Sequence, residues 1–408
     1  MINDPVLHIH SLQSKYLGDG LSDGLGSAIL KDLSLRSILL ANAQDEVIVS
    51  KVPDPDWIRY LSTTGIELPA ITVPDGTGDT LVELIRSDKI LYERLLQKSD
   101  PILPYMGGDQ IDQLAADLSR DLLSPSAPLL ERLNLKSNLN PILESLRIPT
   151  IHTQIVDHEV VVEMAKEAMN TLGPLLIRSD LSIGGHGVWK IESKTDLNRV
   201  SDGAQQATDG RLFLIQPLFT VTDSPNVQFF IGDSGPEYLG MSAQQMTPSF
   251  AFGGNDFPSP MQDHESIDSQ ASSLASWLYE SEYRGFIGID FIVTQDKQVF
   301  IVEINPRVNT SSFPLLLAKR LQRKAFRLLT GLRVSGHSFD DLVNSVGSDL
   351  LYSPRKASGM IPLMVPSASR PMLDAMVFAD DPVEVDNIAE ELQDRIMGVE
   401  RVGVLGEH

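Results

Sequence analysis

The stretch from Arg284 to Ser312, RGFIGIDFIVTQDKQVFIVEINPRVNTSS, constrains the fold most, because it sets acidic side chains inside apolar strands. Two runs rich in Ile, Val and Phe flank the polar Gln295-Asp296-Lys297-Gln298 and read as a β-hairpin. A loop centred between Asp296 and Lys297 pairs Val293 with Phe300, Phe291 with Val302 and Ile289 with Ile304, an apolar face suited to a core. The other face then sets Asp290 opposite Glu303 and Gly288 opposite Asn305. Directly opposed like charges destabilise a sheet, and a divalent cation removes the repulsion. Oxygen ligands of this kind suit Mg²⁺, which completes its shell with waters and substrate phosphates. The alternative is a solvated outer face with an incidental acidic pair. The metal reading is preferred because both acids interrupt apolar runs and Arg307 follows closely. Cross-strand repulsion also predicts that Glu303→Gln leaves the fold intact or slightly more stable.

Upstream, Ser37 to Ser50 reads as strand, loop, strand, and Pro53-Asp54-Pro55 opens a helix around Trp57 to Leu61. A strand near Ile71 to Val73, a helical stretch from Leu81 to Lys98 and an amphipathic helix from Gln110 to Leu122 complete an α/β unit. Gly18 to Ser27 does not match a dinucleotide fingerprint and reads as loop. A boundary falls at Ser124-Pro125-Ser126-Ala127-Pro128. Beyond it come helix, the extended Arg147-Ile148-Pro149-Thr150, a helix from Glu159 to Met169, and a strand from Leu175 to Arg178. The turn Ser179 to Gly187 is rich in glycine and leads into a strand from Val188 to Glu192. Such a turn folds over phosphates or is a plain hairpin tip, and the spacing alone leaves the two even. Strands from Arg211 to Leu218 and Asn226 to Ile231 follow, then a long ordered loop from Tyr238 to Pro260 and a helix from Ser266 to Tyr283. Leu315 to Leu329 reads as an amphipathic helix whose Lys319, Arg320, Arg323, Lys324 and Arg327 form a solvated face. The tail from Gly359 reads as two strands and a helix from Pro382 to Met397.

Length bounds the organisation: 408 residues exceed one ordinary core. The expected division is 1–125, 126–215, 216–332 and 333–408. A formal net charge of −22 argues against nucleic acid or an anionic membrane as the main partner, so an anionic ligand needs a local basic pocket. The chain has no cysteine, which excludes disulfides, zinc-thiolate sites and cysteine nucleophiles. The first residues lack a basic segment followed by an apolar one, and no apolar run is long enough to span a membrane, so a cytoplasmic protein is expected.

With these parts in order, the chain resembles the ATP-grasp superfamily over about residues 126 to 330. The matching residues are Lys136 before the Ile148-Pro149-Thr150 segment and Arg178 where a lysine is usual. Ser182 to Gly187 matches the flexible lid, including Ser182, Gly184, Gly185 and Gly187. The segment Ile215 to Leu218 matches the adenine-holding strand, with Gln216 replacing the usual acid. Asp290, Glu303 and Asn305 match the metal triad, and Arg307 the arginine after it. The resemblance implies a pre-ATP-grasp α/β domain, an ATP-grasp fold of two α+β subdomains and a small α+β C-terminal appendage. More weakly, the N-terminal segment and tail are similar to bacterial peptide ligases of the pheganomycin ligase kind.

What the resemblance implies about function is an ATP-dependent carboxylate–amine ligase that makes an amide or peptide bond through an acylphosphate, releasing ADP and phosphate. Lys136 and Arg178 would hold the phosphates, Gln216 and Leu218 the base, and Asp290, Glu303 and Asn305 would bind Mg²⁺ or Mn²⁺. Arg307 would stabilise the acylphosphate or the oxyanion. The expected partners are small carboxylate and amine substrates, amino acids or short peptides, and the oligomeric state stays open. The alternatives are a phosphotransferase of the same fold and a nucleotide-binding module without turnover.

Overall fold

In the computed structural model, which describes residues 4–11, 31–181, 187–205, 211–247, 252–259 and 265–404, the strands gather into three sheets. The first is parallel and holds β1 (Leu7–Ile9), β2 (Glu46–Ile48), β3 (Ala70–Thr72) and β4 (Ile102–Pro104) in the order β3-β2-β1-β4. The second is antiparallel, β5 (Gln154–Asp157), β6 (Leu175–Ser179), β7 (Val188–Ile191) and β8 (Leu212–Pro217), in the order β5-β8-β6-β7.

The third sheet carries the hairpin. Its strands are β9 (Val221–Asp223), β10 (Pro225–Gly232), β11 (Gly235–Met246), β12 (Phe252–Phe257), β13 (Gly285–Thr294), β14 (Val299–Asn305), β15 (Ala325–Arg333), β16 (Gly359–Pro362) and β17 (Met372–Ala379). All are antiparallel, in the order β14-β13-β10-β11-β12-β15-β17-β16, with β9 beside β13. The tail strands therefore extend the same sheet as the acidic hairpin.

Burial explains the layering. One face of the parallel sheet buries Leu7 and Ile9 against Ile85, Leu95 and Leu114 from the helices Leu81–Ser87, Lys89–Leu95 and Asp109–Asp117. The other face joins a large core with Phe313, Phe326 and Phe378. In the small antiparallel sheet Leu175, Ile177, Phe213 and Ile215 pack on the helix Val161–Leu172. Period-two alternation then turns Arg178 and Gln216 to the opposite face. Among the described residues no helix is long and apolar enough to cross a membrane.

Several elements differ from the sequence reading. Ser37–Leu40 is a short helix rather than a strand, fully buried and preceded by a 3₁₀ turn in which the Ser37 hydroxyl donates to the Ser34 carbonyl at 2.7 Å. A short apolar run has no period to separate the two states. The described residues between Tyr238 and Pro260 are not loop: they supply most of β11 and all of β12, and Gly254 lies so close to the Leu328 carbonyl of β15 that no Cβ fits. Phe257 stacks on Phe326 with ring centroids 5.3 Å apart, so this aromatic anchors the strand. Leu315 to Leu329 splits into the helix Ser312–Leu321 and β15. The break is Gln322 at φ +56°, after which the Arg323 N–H donates to the Ala318 carbonyl at 2.8 Å. Lys319 and Lys324 are exposed as expected, but the three arginines are not a free solvated face. Arg323 pairs with Asp380, Arg327 with Asp256 and Asp386, and Arg320 donates to the carbonyls of Leu39 and Ala41.

Candidate active site

The hairpin places its acids as the pattern predicts, by a different route. Gly288 lies opposite Asn305, Ile289 opposite Ile304 and Asp290 opposite Glu303. Beyond Asp290 the register slips: Phe291 faces Ile301, Ile292 faces Phe300 and Val293 faces Val299. The expected pairs Phe291 with Val302 and Val293 with Phe300 are therefore wrong. The turn closes between Thr294 and Gln298, with Lys297 at φ +60°, which moves the tip out of phase with the site. A bulge at Val302 absorbs the difference. A bulged residue sits outside the regular ladder, and the Val302 carbonyl accepts from the Arg178 guanidinium at 3.1 Å.

Two carboxylates this close cannot both ionise freely. Burial and the neighbouring Glu303 push the Asp290 carboxyl up to about 7, against the pull of Asn226, Arg307 and Asn305. Asn226 donates to one Asp290 oxygen at 2.6 Å and Asn305 to the other at 2.8 Å. Burial would raise Glu303 as well, but Lys136, Arg178 and Arg307 hold it below the ordinary carboxylate value. The Lys136 ammonium lies 3.4 Å from Glu303. The lone charge thus rests on Glu303, and Asp290 is the acid held near neutrality.

Each cation is positioned by its own local structure. Lys136 begins a 3₁₀ turn pinned by Asp180, which accepts from the Ser137 N–H at 2.7 Å and the Ser137 hydroxyl at 2.9 Å. The Lys136 N–H donates to the Asp180 carbonyl. Arg178 is buried on β6 and, among the described residues, its Nε lacks a partner, so its guanidinium has donor capacity for an anion. Arg307 follows Pro306, and its carbonyl accepts from the Asn309 side chain at 2.9 Å. That side chain fills the space above Gly288: a Cβ there would stand 2.6 Å from the Asn309 amide nitrogen.

The remaining expected residues sit elsewhere. Gln216 lies opposite Leu176 on the small sheet and donates to the Thr153 hydroxyl at 2.8 Å. The Leu218 N–H donates to the Pro174 carbonyl at 2.9 Å, so it is engaged within the chain. Gly187 has φ +70° and its carbonyl accepts from the Ser179 N–H at 2.8 Å. Ser182, Gly184 and Gly185 lie outside the described residues.

A buried polar network behind the acids escaped the sequence reading. Gln228 donates to Asn226 at 2.9 Å and to the Ser311 hydroxyl at 2.6 Å, and the Ser312 hydroxyl donates to Gln228 at 2.5 Å. Asn226 and Gln228 stand opposite Asp290 and Gly288 on β10. Their signal was available, as two amides at period two in an otherwise apolar strand.

Among the described residues no group of three or more His, Asp or Glu side chains could hold a metal ion alone. The acidic pair instead combines with an amide oxygen and a rim of cations that suits phosphate. That donor set fits a Mg²⁺ sharing its shell with a nucleotide.

Residues 149–311 match the family described as an ATP-grasp domain. The carbamoyl phosphate synthase large chain of Deinococcus deserti is 21% identical over 68% of this chain, which spans only 28% of that protein. The fold matches N5-carboxyaminoimidazole synthetase from Staphylococcus aureus complexed with ADP, with a TM-score of 0.59, 13% identity and 97% of each chain covered. It also matches biotin carboxylase from Campylobacter jejuni, with a TM-score of 0.58, 14% identity, and 93% of this chain and 88% of that one covered.

Proposed function

We propose that this chain, whose residues 149–311 match the ATP-grasp domain family, is an ATP-dependent carboxylate–amine ligase forming an amide or peptide bond through an acylphosphate. The observation that carries this is the convergence of Lys136, Arg178 and Arg307 on Glu303, beside an Asp290 carboxyl that burial and Glu303 hold near neutrality. Such an array is suited to a polyanion arriving with a cation.

Lys136 and Arg178 bind the phosphates of ATP, Arg178 through the donors that Val302 leaves free. Asp290, Glu303 and Asn305 would hold Mg²⁺, which would neutralise the phosphate oxygens. Arg307, whose charge already acts on both acids, stabilises the acylphosphate and the tetrahedral oxyanion formed when the amine attacks. Gln216 contacts the adenosine in place of the usual acid. The substrates are small carboxylates and amines, amino acids or short peptides.

Hydroxylamine supplied in place of the amine tests this reading. A hydroxamate with stoichiometric ADP is expected. AMP and pyrophosphate would overturn the acylphosphate assignment. Phosphate transfer to a hydroxyl, with no hydroxamate, would make the chain a kinase of the same fold.

A further inference from the structure

The parallel sheet brings a second group of polar side chains to the edge of the site. Its order, β3-β2-β1-β4, reverses direction between β1 and β4. In open parallel sheets ligands bind outside the carboxyl ends of the strands at such a point. His10 follows β1 there and Tyr105 follows β4, and the Tyr105 carbonyl accepts from the Val308 N–H at 2.9 Å, tying this edge to the segment after Arg307.

Two features of this edge are unexplained by folding. His10 is 3% exposed and, among the described residues, neither ring nitrogen has a hydrogen-bond partner. Burial, then His8 and Arg36, hold its ring well below the usual histidine range, so it is neutral, with one donor and one acceptor unused. Arg36 is 6% exposed, and among the described residues it forms no ion pair with a carboxylate. Its guanidinium lies over the rings of Tyr105 and Phe313, 5.1 and 5.6 Å from their centroids. Burial would raise the Tyr105 phenol, but the charges of Arg36 and Arg307, and hydrogen bonds from both, hold it below its ordinary value. A buried guanidinium without an anion is costly, and a structure retains one where a ligand completes it.

We propose that His10, Arg36 and Tyr105 form the binding site for the carboxylate of a substrate, delivered beside Arg307 at the switch point of the parallel sheet. This rests on the ligase reading above. The class follows from charge: Lys136 and Arg178 are committed to Glu303 and the nucleotide and Arg307 to the acylphosphate, which leaves Arg36 to match one negative charge of the incoming substrate. A planar monoanion on a guanidinium flanked by aromatic rings fits that better than a phosphate dianion. The neutral His10 ring donates to, or accepts from, the polar groups next to the carboxylate.

Calorimetric titration of the full chain tests this, using Mg·ADP, inorganic phosphate, and the free acid and carboxamide of alanine, phenylalanine and glutamate. At least one free acid should bind at least tenfold more tightly than its carboxamide and than phosphate. Arg36→Met should weaken that free acid at least tenfold while Mg·ADP affinity stays within threefold. Equal binding of acid and carboxamide, tighter binding of phosphate, or unchanged affinity in Arg36→Met overturns the site. Should Arg36→Met not fold, His10→Phe keeps the charge and carries the test: a tenfold loss supports the site and unchanged affinity overturns it. Mg·ADP binding with no free acid bound overturns this site alone. Free-acid binding without Mg·ADP binding supports this site and overturns the nucleotide reading.

Discussion

Asp290→Asn should stabilise the metal-free protein at pH 8 and lose that advantage on acidification. An unfolded chain releases the Asp290 proton near pH 4, and the folded chain near 7. Between these values the folded state binds more protons, so stability falls by about 1.4 kcal/mol for each pH unit gained, approaching about 4 kcal/mol above pH 7. Asparagine removes that cost. It also turns an amide N–H₂ toward one of two donors, Asn226 or Asn305, and forfeits a hydrogen bond worth about 1 kcal/mol. The net gain is roughly 2–3 kcal/mol at pH 8 and close to zero at pH 5. Urea denaturation in EDTA across pH 5 to 8 measures both limits. A variant less stable than wild type at pH 8, or a difference independent of pH, refutes the raised Asp290 carboxyl.

Glu303→Gln should behave oppositely: Lys136 and Arg178 lose their counter-charge, costing roughly 2 kcal/mol in urea denaturation at pH 7 even after Asp290 ionises in its place. ATP turnover should fall below detection, and activity within a few-fold of wild type would contradict its role. Gly288→Ala drives a methyl into the Asn309 side chain and breaks its hold on the Arg307 carbonyl. It should cost about 1–3 kcal/mol and lower turnover more than ADP affinity, measured by denaturation and by ADP titration.

The acidic pair was legible because two charges inside β-patterned runs leave few places to sit. Its energetics were not. The sequence reading expected Glu303→Gln to relax a repulsion, but Lys136 and Arg178 come from segments far away in the chain and reverse the sign. The Val302 bulge was equally hidden, since a turn with Lys297 in the left-handed region looks like any polar loop. Glycine and amide content disguised β11 and β12, whose pairing with β10 and β15 depends on partners rather than local propensity. His10 and Arg36 carried no pattern at all. Their isolation from counter-groups exists only once β1, β4 and the residues after Arg307 meet.

The bulge at Val302 also sets how the hairpin tolerates changes in length. Asp290 and Glu303 are fixed from the sides, by Asn226, Asn305 and Lys136, and owe nothing to the turn. Residues can be gained or lost around Asp296 with the mismatch absorbed on the tip side, leaving the acids where they are. Val302 offers no such slack. Its removal would restore an unbroken ladder from Asp290 to the tip, yet the carbonyl that grips Arg178 would vanish with it. The better-ordered hairpin would be the poorer binder of phosphate.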